Sequence, residues 1–102
     1  MEQIFIAIKN YLESNDVVLF MKGSKNMPMC GFSSKVVHLL NLLEVDFLDI
    51  DVLEDANIRD GIKQFTNWPT IPQLYFKGQF IGGCDIVSQL YSEGELQKLF
   101  QK

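Results

Sequence analysis

The chain has 102 residues, of which 47% are hydrophobic and 22% charged, so it suits one globular domain over residues 1–102 and is too short for two. Thirteen acidic residues against nine Lys and Arg give a net charge of −4, which argues against a nucleic-acid-binding protein. The sequence contains no apolar run of membrane-spanning length, no secretory signal and no arginine-rich transit pattern. We therefore expect a cytoplasmic protein with no membrane partner, although a trimmed organellar matrix protein would look the same.

Apolar periodicity predicts alternating helices and strands in the first half of the chain. The predicted elements are, in order, a helix over 2–14, a strand buried on both faces over 17–21, a loop over 23–29, a helix over 31–43 and a strand over 47–52. A strand, a helix and a strand within about 35 residues form a βαβ unit. The two strands should therefore be parallel.

The second half predicts a third helix, a hairpin and two final helices. Ile58, Ile62 and Phe65 mark the helix, and the strands 73–76 and 80–81 flank a glycine turn. Residues after Gly83 are helical, with an interruption at Gly94, and Asp85 is a plausible N-cap. The order αβαβαββαα predicts an α/β fold in which a mixed four-stranded sheet carries helices on both faces.

Cysteine chemistry is the main functional signal. Cys30 is placed at a helix start, after a loop that carries Lys22 and Lys25, and helix-end amides and ammonium groups favour a thiolate. A thiolate is a nucleophile and a soft-metal ligand; the alternative is an inert core thiol. A dithiol oxidoreductase would carry its resolving cysteine three residues later, where this chain has Ser33. That leaves exchange with a small thiol, or metal binding.

Metal binding by this chain needs further ligands. A two-iron cluster takes four, and one chain offers Cys30 and at most Cys84, so the others would come from a second copy, a small thiol or both. Cys84 could equally be a half-buried apolar residue, a backbone contact to a ligand, or a disulfide partner of Cys30 under oxidation. His38 has no partner residues at ligand spacing and predicts no zinc site.

Four motifs together resemble the monothiol glutaredoxins of the CGFS class. They are residues 20–23 (FMKG), 30–33 (CGFS), 68–75 (WPTIPQLY) and 82–86 (GGCDI). The resemblance covers essentially the whole chain and implies a thioredoxin-like fold, glutathione as ligand and a [2Fe-2S] cluster that bridges a homodimer. It further implies roles in cluster storage or transfer and in iron homeostasis, with iron-sulfur clients and a BolA-like protein as possible partners.

The resemblance also implies roles for individual residues. Those carried over are Cys30 for the cluster and as nucleophile, Lys22 and Arg59 for the glycine carboxylate of glutathione with Gln64 a weaker candidate, Ile71 for backbone pairing, Pro72 as a cis-proline, and Gly83, Cys84 and Asp85 for the γ-glutamyl end. Cations, an acid and a helix N-terminus suit a ligand with two carboxylates and an ammonium. The alternatives are solvated charges at Lys22 and Arg59, a simple helix cap at Asp85, and a glutathione-dependent thiol-disulfide oxidoreductase as the function.

Overall fold

In the computed structural model, which describes residues 1–101, helices and strands follow one another much as the sequence predicts. The elements are α1 (Glu2–Ser14), β1 (Val17–Met21), β2 (Gly23–Ser24), β3 (Met27–Pro28), α2 (Gly31–Leu42), β4 (Leu48–Asp51), α3 (Ala56–Thr66), β5 (Gln73–Phe76), β6 (Gln79–Gly82), α4 (Cys84–Ser92) and α5 (Glu95–Leu99). None of the helices in this range is both long enough and apolar enough to cross a membrane.

The main sheet has four strands in the order β4-β1-β5-β6. Strand β1 runs parallel to β4 and antiparallel to β5, and β6 pairs antiparallel with β5. The predicted parallel pair and the predicted hairpin are both confirmed, and together they make the sheet mixed. Helix α2 connects the two parallel strands, so the end of β1 and the start of α2 lie at the same edge.

Strand β1 divides the core into two layers, because successive side chains of a strand point to opposite faces. Val17, Leu19 and Met21 pack in one buried cluster with residues of α2, α4 and α5. Val18 and Phe20 pack in the other with residues of α1 and α3. This double burial explains why the run 17–21 is apolar throughout, and it confirms helices on both faces of the sheet.

Three predicted boundaries are corrected by the structure. The segment 23–29, predicted as a loop, contains the short β2–β3 hairpin. The second strand of the βαβ unit covers Leu48–Asp51 instead of 47–52, and α2 ends at Leu42, one residue early. Phe47 and Val52, which flank β4, are buried although they lie outside the ladder. Because both residues are apolar and buried, the sequence pattern predicted a strand longer than the hydrogen-bonded one.

The hairpin forms because β4 supplies carboxylates to its backbone. Asp51 Oδ1 accepts the N–H of Gly23 at 2.9 Å, and Asp49 Oδ2 accepts the N–H of Lys25 at 2.8 Å. Gly23 has φ of +91°, and a Cβ there would lie 2.5 Å from the carbonyl oxygen of Met27. Only glycine fits this turn, which joins β1 to the hairpin and leads on to Cys30.

Candidate functional site

The candidate site is an open groove of about 730 Å³ that follows the edge where β1 ends and α2 begins. It is lined by Lys22, Cys30, Phe32, Lys63, Trp68, Pro69, Thr70, Ile71, Pro72, Gly83, Cys84, Asp85 and Ile86. Five separate stretches of the chain therefore meet here. The groove brings together most of the residues that the sequence singled out, with the exception of Arg59 and Gln64.

Cys30 is the N-cap residue of α2, as the sequence predicts. Its backbone is extended, with φ of −149° and ψ of 138°, so its side chain lies beside the free amides of the first helical turn. The backbone N–H of Ser33 is the main cause that lowers the pKa of Cys30 below 9.0; partial burial opposes it, and the backbone N–H of Phe32, the charge of Lys22 and the Ser33 hydroxyl each lower the pKa by less. The thiol is thus biased towards the nucleophilic thiolate.

Ser33 has a structural role that the sequence did not show. It is fully buried, and its Oγ accepts the backbone N–H of Lys22 at 3.1 Å. The carbonyl of Lys22 in turn accepts the N–H of Met29 at 2.9 Å. Because Asp51 holds the next amide, at Gly23, the backbone around Lys22 is fixed from three sides. Ser33 therefore couples the position of Lys22 to the start of the helix that carries Cys30.

The segment 67–72 forms one wall of the groove. Asn67 ends α3 in the left-handed conformation, and the Ile71–Pro72 peptide bond is cis, which confirms what the resemblance implied for Pro72. Within residues 1–101 neither the N–H nor the C=O of Ile71 has a hydrogen-bond partner. Since buried backbone groups are normally paired, Ile71 offers a donor and an acceptor to an extended ligand.

The start of α4 forms the opposite end of the groove. Gly83 is the N-cap residue, and a Cβ there would lie 3.2 Å from the carbonyl oxygen of Pro72. The predicted capping role of Asp85 is wrong, since its side chain makes no capping hydrogen bond and lies exposed in the first turn of the helix. The helix begins ahead of Asp85, whose side chain lines the groove. Cys84 is a free thiol, as is Cys30.

The cations of the groove differ from those the sequence nominated. Lys22 lines it, and so does Lys63, which the sequence analysis missed. Arg59 does not: its Nε lies 3.4 Å from Asp60 Oδ1 and its side chain is 41% exposed. Lys25, expected to add to the field at Cys30, instead donates its ammonium to the carbonyl of Phe47 at 2.7 Å.

The position of Lys63 on α3 relative to Arg59 could have identified it as a candidate cation of the groove. The two residues are four apart on α3 and so share one helical face, with Lys63 one turn nearer the wall segment 67–72. Gln64 is exposed on the same helix outside the groove. Trp68 packs on Phe80 with ring centroids 5.5 Å apart, and it also lines the groove.

A cysteine at a helix start and a cis-proline in the same groove, on a four-stranded mixed sheet, define the thioredoxin-like class of proteins. The family model for glutaredoxin matches residues 17–81. A probable monothiol glutaredoxin 2 of Rickettsia typhi is 55% identical over 94 residues, covering 92% of this chain and 85% of its own length. The chain belongs to the monothiol glutaredoxin family.

Solved structures agree with this assignment. The reduced apo form of poplar GrxS14 has a TM-score of 0.84 and 45% identity, covering 94% of this chain and 88% of its own. A buckwheat glutaredoxin in complex with glutathione has a TM-score of 0.85 and 26% identity, covering 96% of this chain and 87% of its own. The thioredoxin-like glutaredoxin fold that the sequence predicts is thereby confirmed.

Proposed function

We propose that the groove binds glutathione and that the protein acts as an iron-sulfur carrier of the CGFS class. Glutathione is an extended tripeptide with two carboxylates and one ammonium. Lys22 and Lys63 provide cations, Asp85 provides an acid, and the N–H and C=O of Ile71, which have no partner within residues 1–101, provide backbone hydrogen bonds. The glutathione complex of the buckwheat glutaredoxin, which shares this fold, supports the same ligand class.

The observation that supports the carrier role is that Ser33 is buried and hydrogen-bonded to the backbone at the position where a resolving cysteine would stand. That position holds the fully buried hydroxyl of Ser33, which is bonded to the backbone of Lys22, so the α2 motif offers Cys30 as its one thiol, with a lowered pKa. Within residues 1–101 no group of three or more His, Cys, Asp and Glu side chains could hold a metal ion. A [2Fe-2S] cluster needs four ligands, so two Cys30 thiolates from a homodimer and two glutathione thiolates would complete the set.

The test is cluster reconstitution with iron and sulfide under anaerobic conditions, with and without glutathione. We expect two irons per two chains and a visible spectrum only when glutathione is present. Cys30→Ser should bind none, and Cys84→Ser is the matched control that should retain the cluster. A stable cluster on one chain without any small thiol would refute the model.

A second candidate function is glutathione-dependent thiol-disulfide exchange. The lowered pKa of Cys30 favours it, because the thiolate is the attacking form. In this reaction the Cys30 sulfur would attack a mixed disulfide of glutathione, release the substrate thiol and become glutathionylated, and a second glutathione would then release Cys30 and leave as glutathione disulfide. Turnover comparable to that of a dithiol glutaredoxin would favour this candidate over the carrier.

Partners of the carrier would meet the groove at its apolar rim. Met29 and Phe32 flank Cys30 in sequence and are 64% and 62% exposed, and Ile86 is 37% exposed on the other side of the groove. Exposed apolar side chains around a functional group are typical of association surfaces. We propose that this rim meets the second protomer, a BolA-like protein or an iron-sulfur client, and that the carrier contributes to iron homeostasis in the cytoplasm or an organellar matrix.

A further inference from the structure

Gln73 begins β5, one of the two inner strands of the main sheet, and its polar side chain has no exposed surface. Its Nε2 donates to the carbonyl oxygens of Trp68 and Thr70, at 3.1 and 3.2 Å. Its Oε1 accepts the hydroxyl of Tyr75 at 3.0 Å. Burying an amide is costly unless its donors and acceptor are paired, and here both N–H donors are used on one short segment of backbone.

The two ends of the Gln73 amide serve different parts of the fold. The oxygen end faces the core, where burial raises the pKa of Tyr75 so that its hydroxyl stays protonated as a donor. Thr66 also lies there, at 3.1 Å from Oε1, but its single proton has a closer acceptor in the Ile62 carbonyl at 2.7 Å. The nitrogen end reaches the segment 67–72, which is the wall of the groove.

The carbonyls that Gln73 binds belong to the residues around the ligand-facing peptide. Trp68 and Thr70 both line the groove, and Thr70 directly precedes Ile71, whose N–H and C=O are unpaired within residues 1–101. Among the described residues, no other side chain donates to those two carbonyls. The Thr70 carbonyl and the Ile71 N–H belong to one trans peptide group and point in opposite directions, so a Thr70 carbonyl held by Gln73 leaves the Ile71 N–H directed away from Gln73 and available to a ligand.

We infer that Gln73 is a positioning residue for glutathione: its amide fixes the wall segment 67–72 so that the backbone of Ile71 can pair with the tripeptide. The inference rests on the proposed function and adds to it a residue that lies outside the groove and touches no ligand. It also explains why an amide side chain occupies a fully buried position of β5, opposite Phe20 of β1.

The test compares one variant that removes the hydrogen bonds of the Gln73 nitrogen with another that removes a hydrogen bond to the Gln73 oxygen. Gln73→Glu keeps the length and the acceptor for Tyr75 but removes both N–H donors to the wall. Tyr75→Phe removes one hydrogen bond at the core end and leaves the wall donors intact. Trp68 is the single tryptophan of the chain and lies in the wall, so its fluorescence reports wall position in the apo protein without any ligand.

We expect Gln73→Glu to shift the Trp68 emission and increase its quenching by acrylamide, and to raise the glutathione concentration for half-maximal binding about tenfold or more, since two hydrogen bonds to the wall are lost. Tyr75→Phe should change both readouts less than threefold although it also lowers stability. If Gln73→Glu does not fold, Gln73→Met, which lacks the donors at similar volume, decides by the same criteria.

Two results would overturn the inference: wild-type glutathione affinity in a folded Gln73 variant, or equal weakening in Tyr75→Phe, which would mean a general loss of stability. Failure of the proposed function looks different. In that case the wild-type protein itself binds no glutathione, while the Trp68 emission still distinguishes Gln73→Glu from Tyr75→Phe.

Discussion

Replacing Ser33 with Ala tests the coupling between Lys22 and Cys30. The substitution removes the acceptor of the Lys22 N–H, which is bonded at 3.1 Å to a fully buried hydroxyl. A buried donor left without a partner costs about 1–3 kcal/mol of stability. Ser34→Ala is the matched control, since Ser34 is the next residue of the same helix but is exposed. We expect the control to lie within about 0.5 kcal/mol of wild type.

Two properties of each variant are measured: the free energy of unfolding and the pKa of Cys30. Urea denaturation gives the stability difference, and the pH dependence of iodoacetamide alkylation, in a Cys84→Ser background, gives the pKa of Cys30. Loss of the Ser33 hydroxyl removes one of the groups that lower this pKa, so the alkylation profile of Ser33→Ala should move to higher pH, towards 9.0. Equal stability and equal alkylation profiles in Ser33→Ala and Ser34→Ala would refute the coupling.

Four further outcomes are expected. Because the pKa of Cys30 is lowered in the folded state, the free energy of unfolding of wild type should rise relative to that of Cys30→Ser as pH increases from this folded pKa towards 9.0. This gain should be absent below the folded pKa, which thermal unfolding at several pH values checks. Lys63→Ala should raise the glutathione needed for half-maximal cluster assembly about tenfold to a hundredfold, and more than Arg59→Ala does, in the same reconstitution assay. Cys84→Ser should keep the cluster but lose any disulfide formed on oxidation of the apo form, as iron content and mass spectrometry would show. Gly23→Ala should lower stability and cluster yield together, because its Cβ has no space beside Met27.

Local patterns were sufficient for the framework of the fold. The apolar run 17–21, the helical stripe after Gly31 and the glycine turn at Lys77–Gly78 can each be recognised from residues that are close together in the sequence, and all three are confirmed. The same holds for Cys30, whose place at a helix start follows from where the stripe begins. The cis bond before Pro72 is different, since it came from the resemblance and not from the residues themselves.

Tertiary packing decided the details of the site. Which cation enters the groove depends on how α3 sits against the wall segment, and one helical turn, a rise of about 5.4 Å, separates Lys63 from Arg59. The hairpin at Gly23 depends on carboxylates from β4, nearly thirty residues later in the chain. Likewise, the sequence showed Ser33 only as the position where a resolving cysteine is missing, and Gln73 only as part of the motif 68–75. Their roles come from hydrogen bonds to backbone groups outside the helix or strand that carries them, which a sequence pattern does not record.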